Sequence, residues 1–155
     1  MEIRKLLNSE KRGALDLVWH VFLKFEAPDY CDQGVVTFRD FLENEEAING
    51  LSFFGTFENG VLIGVIATRN EGSHIALFFV SEKYQHQGIG KKLFEEATKN
   101  TLSERITVNS SPYAVQIYHH LGFTATDTEQ IRDGIRFIPM MFTRRVILDI
   151  GKTNK

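Results

Sequence analysis

Apolar residues recur along this chain with two periods, and the switch between them divides it into elements. Met1 to Leu6 is expected to form a short edge strand. From Leu15 the spacing becomes helical. Leu15, Val18, Trp19, Phe22 and Phe25 fall on one face, and Ser9 is placed to cap that helix. The period breaks between Glu26 and Gly34, where Pro28 and Gly34 mark a loop. Thr37 and Asp40 have capping-box spacing, with Asp in place of the usual Glu or Gln. A second amphipathic helix follows, with Phe38, Phe41 and Leu42 on its apolar side.

The middle of the chain predicts a sheet. Leu51 to Phe57 is rich in aromatic residues, Val61 to Thr68 is a second strand, and His74 to Val80 is a third, apolar almost throughout. Asn59-Gly60 is a hairpin signal between the first two, and Asn70 to Ser73 turns the chain again. A helix is expected from Gly88 to Thr101, with Ile89, Leu93, Phe94 and Ala97 on one face. Arg105 to Val108 reads as a strand, and Tyr113 to Leu121 as a helix stopped by Gly122. Thr124 to Thr128 and Ile135 to Thr143 are the last two strands, with a turn at Asp133-Gly134. The order is mixed α and β, with antiparallel hairpins flanking a strand–helix–strand unit.

Composition narrows the class. A length of 155 residues suits one domain, expected over 1–147, with 148–155 as a C-terminal tail. A hydrophobic fraction of 43% and 13 Phe are enough to fill its core. The single Cys, Cys31, excludes an internal disulfide and a Cys-based zinc cluster, and no metal site is expected. Eighteen Lys and Arg against 20 Asp and Glu give a formal charge of −2, which argues against a nucleic-acid partner. No run approaches the ~20 apolar residues of a membrane helix. The start, MEIRKLLNSEKRG, lacks the apolar core of a signal peptide, so a cytoplasmic location and no membrane partner are expected.

The stretch from Phe78 to Phe94 carries the candidate chemistry. A buried strand ends at Val80, and a short loop, Gln85-His86-Gln87-Gly88-Ile89-Gly90, runs into a helix. Two glycines at a helix start let consecutive N–H groups point into one space. The helix N-terminus adds partial positive charge, so the loop suits a phosphate without needing a basic side chain. Lys91 and Lys92 add charge from the first turn. The third Gly of a dinucleotide fingerprint is missing, and Lys92 stands where a P-loop needs Ser or Thr.

The Q-x-x-G-x-G of Gln85 to Gly90 resembles the pyrophosphate loop of the GNAT superfamily, the Gcn5-related N-acetyltransferases. Glu104 to Phe123 is similar to that family's second block: a strand, a helix begun by Ser111-Pro112, then Tyr118 and an exit through Leu121-Gly122-Phe123. The resemblance runs from Leu51 to Arg144. It implies the family's acyl-CoA N-acyltransferase fold, a mostly antiparallel mixed sheet flanked by helices, and acetyl-CoA as cofactor.

The resemblance also implies roles. Backbone groups of Phe78, Phe79 and Val80 would bind the pantetheine arm, and the backbone of His86 to Lys91 the pyrophosphate, with Gln85 and Gln87 in the same loop. Asn109, Ser111 and Ala114 lie where the family contacts the pantetheine, and two roles are open to Ser111: cofactor contact or helix cap. Tyr118 matches the general acid that protonates the departing thiolate, or it packs beside the cofactor. His74, whose imidazole titrates near ~6.5, is the first candidate for the base, or else a strand-end His bonded to backbone or solvent; Glu26 is the runner-up. Glu26, Asp29 and Tyr30 would give an acidic rim to an acceptor pocket.

The leading expectation is direct transfer of an acetyl group to a primary amine in a ternary complex, the acceptor being a small molecule or a peptide or protein amine. A homodimer through exposed strand edges would fit the family. The alternative is a regulatory module that senses acetyl-CoA without catalysis. Tyr118 favours the enzyme, because a sensor needs no acid.

Overall fold

The protein is described by a computed structural model covering residues 1–146; the expected C-terminal tail, 148–155, lies outside the described residues. The strands are β1 (Glu2–Lys5), β2 (Ser52–Glu58), β3 (Val61–Arg69), β4 (His74–Val80), β5 (Arg105–Ser110), β6 (Thr124–Ala125), β7 (Gln130–Arg132) and β8 (Ile135–Thr143). The helices are α1 (Lys11–Phe25), α2 (Asp32–Glu43), α3 (Glu45–Asn49), α4 (Ile89–Thr98) and α5 (Val115–Leu121). The strands form one sheet in the order β1-β2-β3-β4-β5-β8-β6, with β7 also beside β8. The pairs are antiparallel except β4–β5. This is the mostly antiparallel mixed sheet, flanked by helices, that the sequence leads one to expect.

Each face of the sheet carries its own core. On one face α1, α2 and α3 cover Phe53, Val65, Ala67, Leu77 and Phe79. On the other α4 and α5 cover Ile63, Ile66, Ile75, Ile106 and Val108. Fully burying a side chain of this size contributes about 2 kcal/mol, so the two layers together hold the sheet in place. Strict alternation would put Ile63 with Val65, and Ile75 with Leu77. Two register shifts prevent this. Thr56 pairs with Gly64 but Phe57 with Leu62, which leaves Ile63 as an extra residue. Ala67 pairs with Leu77 but Thr68 with Ile75, which leaves Ala76 as another. Each bulge moves the side chains beyond it to the other face and bends its strand.

The bulge at Ala76 coincides with a gap in the sheet. Parallel pairing of β4 with β5 is confined to His74 with Thr107 and Ile75 with Val108. Beyond Ile75 the two strands separate, so one edge of Ala76 to Val80 is released from β5.

Several local expectations need correction. Ser9 makes no cap; it sits in a 3-10 turn (Asn8–Glu10) ahead of α1. There the Glu10 carboxylate accepts from the Leu7 N–H at 2.8 Å and pairs with Arg4 at 2.7 Å. The expected loop from Glu26 to Gly34 is partly helical, with a 3-10 turn (Ala27–Asp29) and then α2 from Asp32. Thr37 is therefore inside α2, and its hydroxyl donates to the Asp133 carbonyl at 2.7 Å instead of capping. Gly34 lies within the helix because a Cβ there would overlap the Gly134 carbonyl of the β7–β8 turn. The short α3 was not expected; Asn44 caps it, accepting from Ala47 N–H at 3.0 Å. The strand expected over Thr124 to Thr128 ends at Ala125, and β7 forms separately ahead of Asp133-Gly134.

Candidate functional site

The gap between β4 and β5 opens two clefts. The first lies around the loop from Gln85 to Lys91 and has a volume of about 460 Å³. Phe78, Phe79, Val80, Gln85, His86, Gly88, Ile89, Gly90, Lys91, Ala114 and Tyr118, all expected from sequence, line this loop cleft. Tyr84, Tyr113 and Ile117 line it too and were not anticipated. The second, of about 360 Å³, lies against the β7–β8 turn. Glu26, Tyr30, His74, Asn109 and Ser111 line this hairpin cleft. Glu26, Phe78, Phe79, Ala114 and Tyr118 line both, so the clefts meet there.

The loop is shaped by its backbone. His86 and Gly88 have φ of 64° and 80°, both left-handed. Gly88 is the residue before α4, and a Cβ there would meet nothing within 4 Å, so the space over it is open. The first N–H groups of a helix have no partner inside it. Among the described residues the N–H groups of His86 to Lys91 find none elsewhere either. Together with the positive end of α4 they suit a diphosphate. The residues therefore fit the pyrophosphate of a coenzyme A, with the released edge of β4 beside it for an amide-bearing arm.

Not every expected residue is free for such contacts. The Gln85 amide donates to the Val80 carbonyl at 2.9 Å and ties the loop to the strand end. The Gln87 amide donates to the Lys83 carbonyl at 3.1 Å, and Gln87 lines neither cleft. Ser111 accepts from the Ala114 N–H at 3.2 Å in the turn ahead of α5, and does not cap the helix itself, whose N-cap is Ala114. With Asn109 it faces the hairpin cleft rather than the loop cleft. Asp29 lines neither; its carbonyl accepts from Arg136 at 3.0 Å.

Tyr118 is held by local design. Gly122, at φ 105°, closes α5, with its N–H donating to His119 and that of Phe123 donating to Tyr118, each at 3.0 Å. The Tyr118 ring meets Phe123 and Phe78 edge-on, with centroids 5.3 and 5.9 Å away. Burial, and then the charge of Glu26, push its phenol well above the ordinary value, so it keeps its proton.

Glu26 caps α1, its N–H donating to the Phe22 carbonyl at 2.9 Å. The adjoining Phe25 stacks on Tyr113 at 5.2 Å and docks this corner onto the start of α5. Burial pushes the Glu26 carboxyl up to about 7; hydrogen bonding from Ser111 opposes the rise and the charge of Asp29 adds to it. His74 behaves in the opposite way. Burial and the nearby Arg69 push its imidazole down to about 4, and Nδ1 lies 2.7 Å from the Thr107 hydroxyl. At neutral pH His74 is thus uncharged and a weak base, while Glu26 is poised to exchange a proton.

Comparison with known proteins agrees with this geometry. The acetyltransferase (GNAT) domain family matches residues 26–144. A GCN5-related N-acetyltransferase from Rhodopseudomonas palustris superposes with a TM-score of 0.76 at 16% identity, covering 92% of this chain and 95% of its own. The PaiA N-acetyltransferase of Thermoplasma acidophilum, in complex with coenzyme A, gives 0.73 at 23% identity, covering 92% and 98%. A GNAT family acetyltransferase from Elizabethkingia anophelis with acetyl-CoA bound gives 0.62 at 17%, covering 92% and 97%. No curated protein matches the sequence.

Proposed function

The chain belongs to the GNAT acetyltransferase family, and from that premise we propose that it transfers the acetyl group of acetyl-CoA to a primary amine by direct attack in a ternary complex. The observation that carries this is the meeting of two clefts at Glu26 and Tyr118. A cofactor in the loop cleft and an amine in the hairpin cleft reach each other only there.

Acetyl-CoA supplies an activated thioester carbonyl. The chain supplies position and protons. Unpaired N–H groups of His86 to Lys91 hold the diphosphate. The freed edge of Phe78, Phe79 and Val80 aligns the pantetheine arm. Glu26 takes a proton from the incoming ammonium, a task suited to a carboxyl at about 7. The Tyr118 hydroxyl donates to the departing sulfur as the C–S bond breaks, and its phenolate recovers the second proton that the amine nitrogen sheds on becoming an amide. The two groups are coupled, because the negative charge of Glu26 is one reason the phenol holds its proton so firmly. Once Glu26 has taken the amine's proton, that charge is gone and Tyr118 becomes a better donor when it is needed. Cys31 lines neither cleft, which supports direct transfer over an acetyl-Cys relay.

The test is a thermal shift with acetyl-CoA, followed by a panel of primary amines read as release of free CoA. Ligand at a hundred times its dissociation constant adds about 2.7 kcal/mol, or roughly 5–10 °C in a chain of this size. No shift at millimolar acetyl-CoA would sink the reading. A shift without amine-dependent release would favour a sensor.

A further inference from the structure

The hairpin cleft holds two cations for which the proposed chemistry has no use. Arg69, at the end of β3, pairs in register with His74. Arg132, at the end of β7, pairs in register with Ile135. Both line the hairpin cleft and neither lines the loop cleft. The ion pairs among the described residues engage Arg4, Lys24, Lys99 and Arg136, and leave Arg69 and Arg132 without a carboxylate. Asp133, next to Arg132 and on the same wall, makes no ion pair with it. Arg132 lies over the Phe137 ring at 5.5 Å, and two guanidiniums without a carboxylate partner beside one cavity attract an anion, their fork geometry suiting a carboxylate.

We propose that the acceptor is a small bifunctional amine, with its amino group at Glu26, a carboxylate held at its far end by Arg69 and Arg132, and an apolar body between them. This rests on reading the hairpin cleft as the acceptor site. Position along β4 sets Arg69 apart from the junction. Phe78, at the junction, and His74, beside Arg69, are four residues distant, or about 13 Å along a strand. The wall between is apolar, with Phe38, Phe41 and Phe137 on it. The acidic rim expected from sequence is therefore only half of the site: Glu26 is at the amine end, and the other end is basic.

The same cleft is shut against a long peptide. The start of α2 is clasped to the β7–β8 turn: Thr37 donates to the Asp133 carbonyl at 2.7 Å and Tyr30 to the Arg136 carbonyl at 3.3 Å. Gly34 and Gly134 meet with no room for a side chain between them. A chain threading between α2 and the hairpin would have to break all three contacts. A free small molecule of this cleft's size, about 360 Å³, enters without doing so.

Three probes of equal length and different far ends decide the matter: aminooctanoate, octylamine and diaminooctane. The expected order of kcat/KM is aminooctanoate, then octylamine, then diaminooctane, with about tenfold or more between first and last. The difference should lie in KM. In the Arg69→Gln, Arg132→Gln double variant the ratio of aminooctanoate to octylamine should collapse towards one. Calorimetric binding of the three amines, with and without CoA, should give the same order and does not depend on turnover. Preference for the diamine, no preference, or an unchanged ratio in the double variant would overturn the proposal. Loss of CoA binding or of all turnover would strike the transferase reading instead, and leaves the amine-binding order to judge this one.

Discussion

The two clefts that meet at Tyr118 are built by opposite means. The loop cleft is made largely of one continuous segment, Phe78 to Lys91, and presents its backbone: free N–H groups, a left-handed Gly88 and a helix end. The hairpin cleft is made of side chains from α2, β3, β4, β5, β7 and β8, brought together across more than half the chain. A backbone site tolerates exchange of side chains and suits a ligand that does not vary. A side-chain site assembled from many elements is easily altered at one of them, which suits the partner that gives specificity.

Breaking the loop cleft should have the largest effect. Gly88→Val places a branched side chain at φ 80° and in the space left for the diphosphate. CoA binding by calorimetry should fall below detection. The left-handed backbone costs the variant about 1–2 kcal/mol, so it should still fold by circular dichroism. Unaltered CoA affinity would show that the loop is only a helix start.

The junction comes next. Glu26→Gln should lower kcat by ~10²- to ~10³-fold with little change in CoA affinity. Wild-type kcat/KM should rise with pH up to about 7, and the variant should lose that limb. The same carboxyl sets a stability trend. Its folded pKa lies above the ordinary 4.5, so the folded state binds the proton more tightly, and stability falls as pH rises from 4.5 through about 7. Glu26→Gln should therefore be more stable than wild type at pH 8, by about 1–2 kcal/mol. A less stable variant would mean that the carboxylate is a structural partner. Tyr118→Phe should cost less, ~10- to ~10²-fold in turnover, since a thiolate leaves readily. Equal turnover with chemistry rate-limiting would leave Tyr118 as packing.

The smallest effect should come from the hairpin side. Thr37→Val removes the bond to Asp133 and loosens the clasp. Acceptor KM should rise a few-fold, stability should fall by about 0.5–1 kcal/mol, and CoA affinity should stay the same. A change in CoA affinity instead would show that the two clefts are not separable.

What the sequence by itself determined follows the same division. Asn59-Gly60 and Asp133-Gly134 are turns, Gly122 closes α5, and Gly88 opens α4, because in each case a few adjacent residues set the backbone dihedrals. The loop from Gln85 to Gly90 was legible for that reason. Ala76 carried no signal for its bulge, since a bulge exists only relative to the partner strand. Thr37 looked like a cap because local spacing cannot show the Asp133 carbonyl, which is 96 residues away in sequence. Arg69 and Arg132 belong to no motif that marks them, and spacing put His74 ahead of Glu26 as the base. Only the tertiary structure set the two arginines on one cavity, and burial, with the charges of Arg69 and Asp29, moved those two titrations in opposite directions. Solvation and charge depend on what the rest of the chain brings near, and one-dimensional spacing does not contain that information.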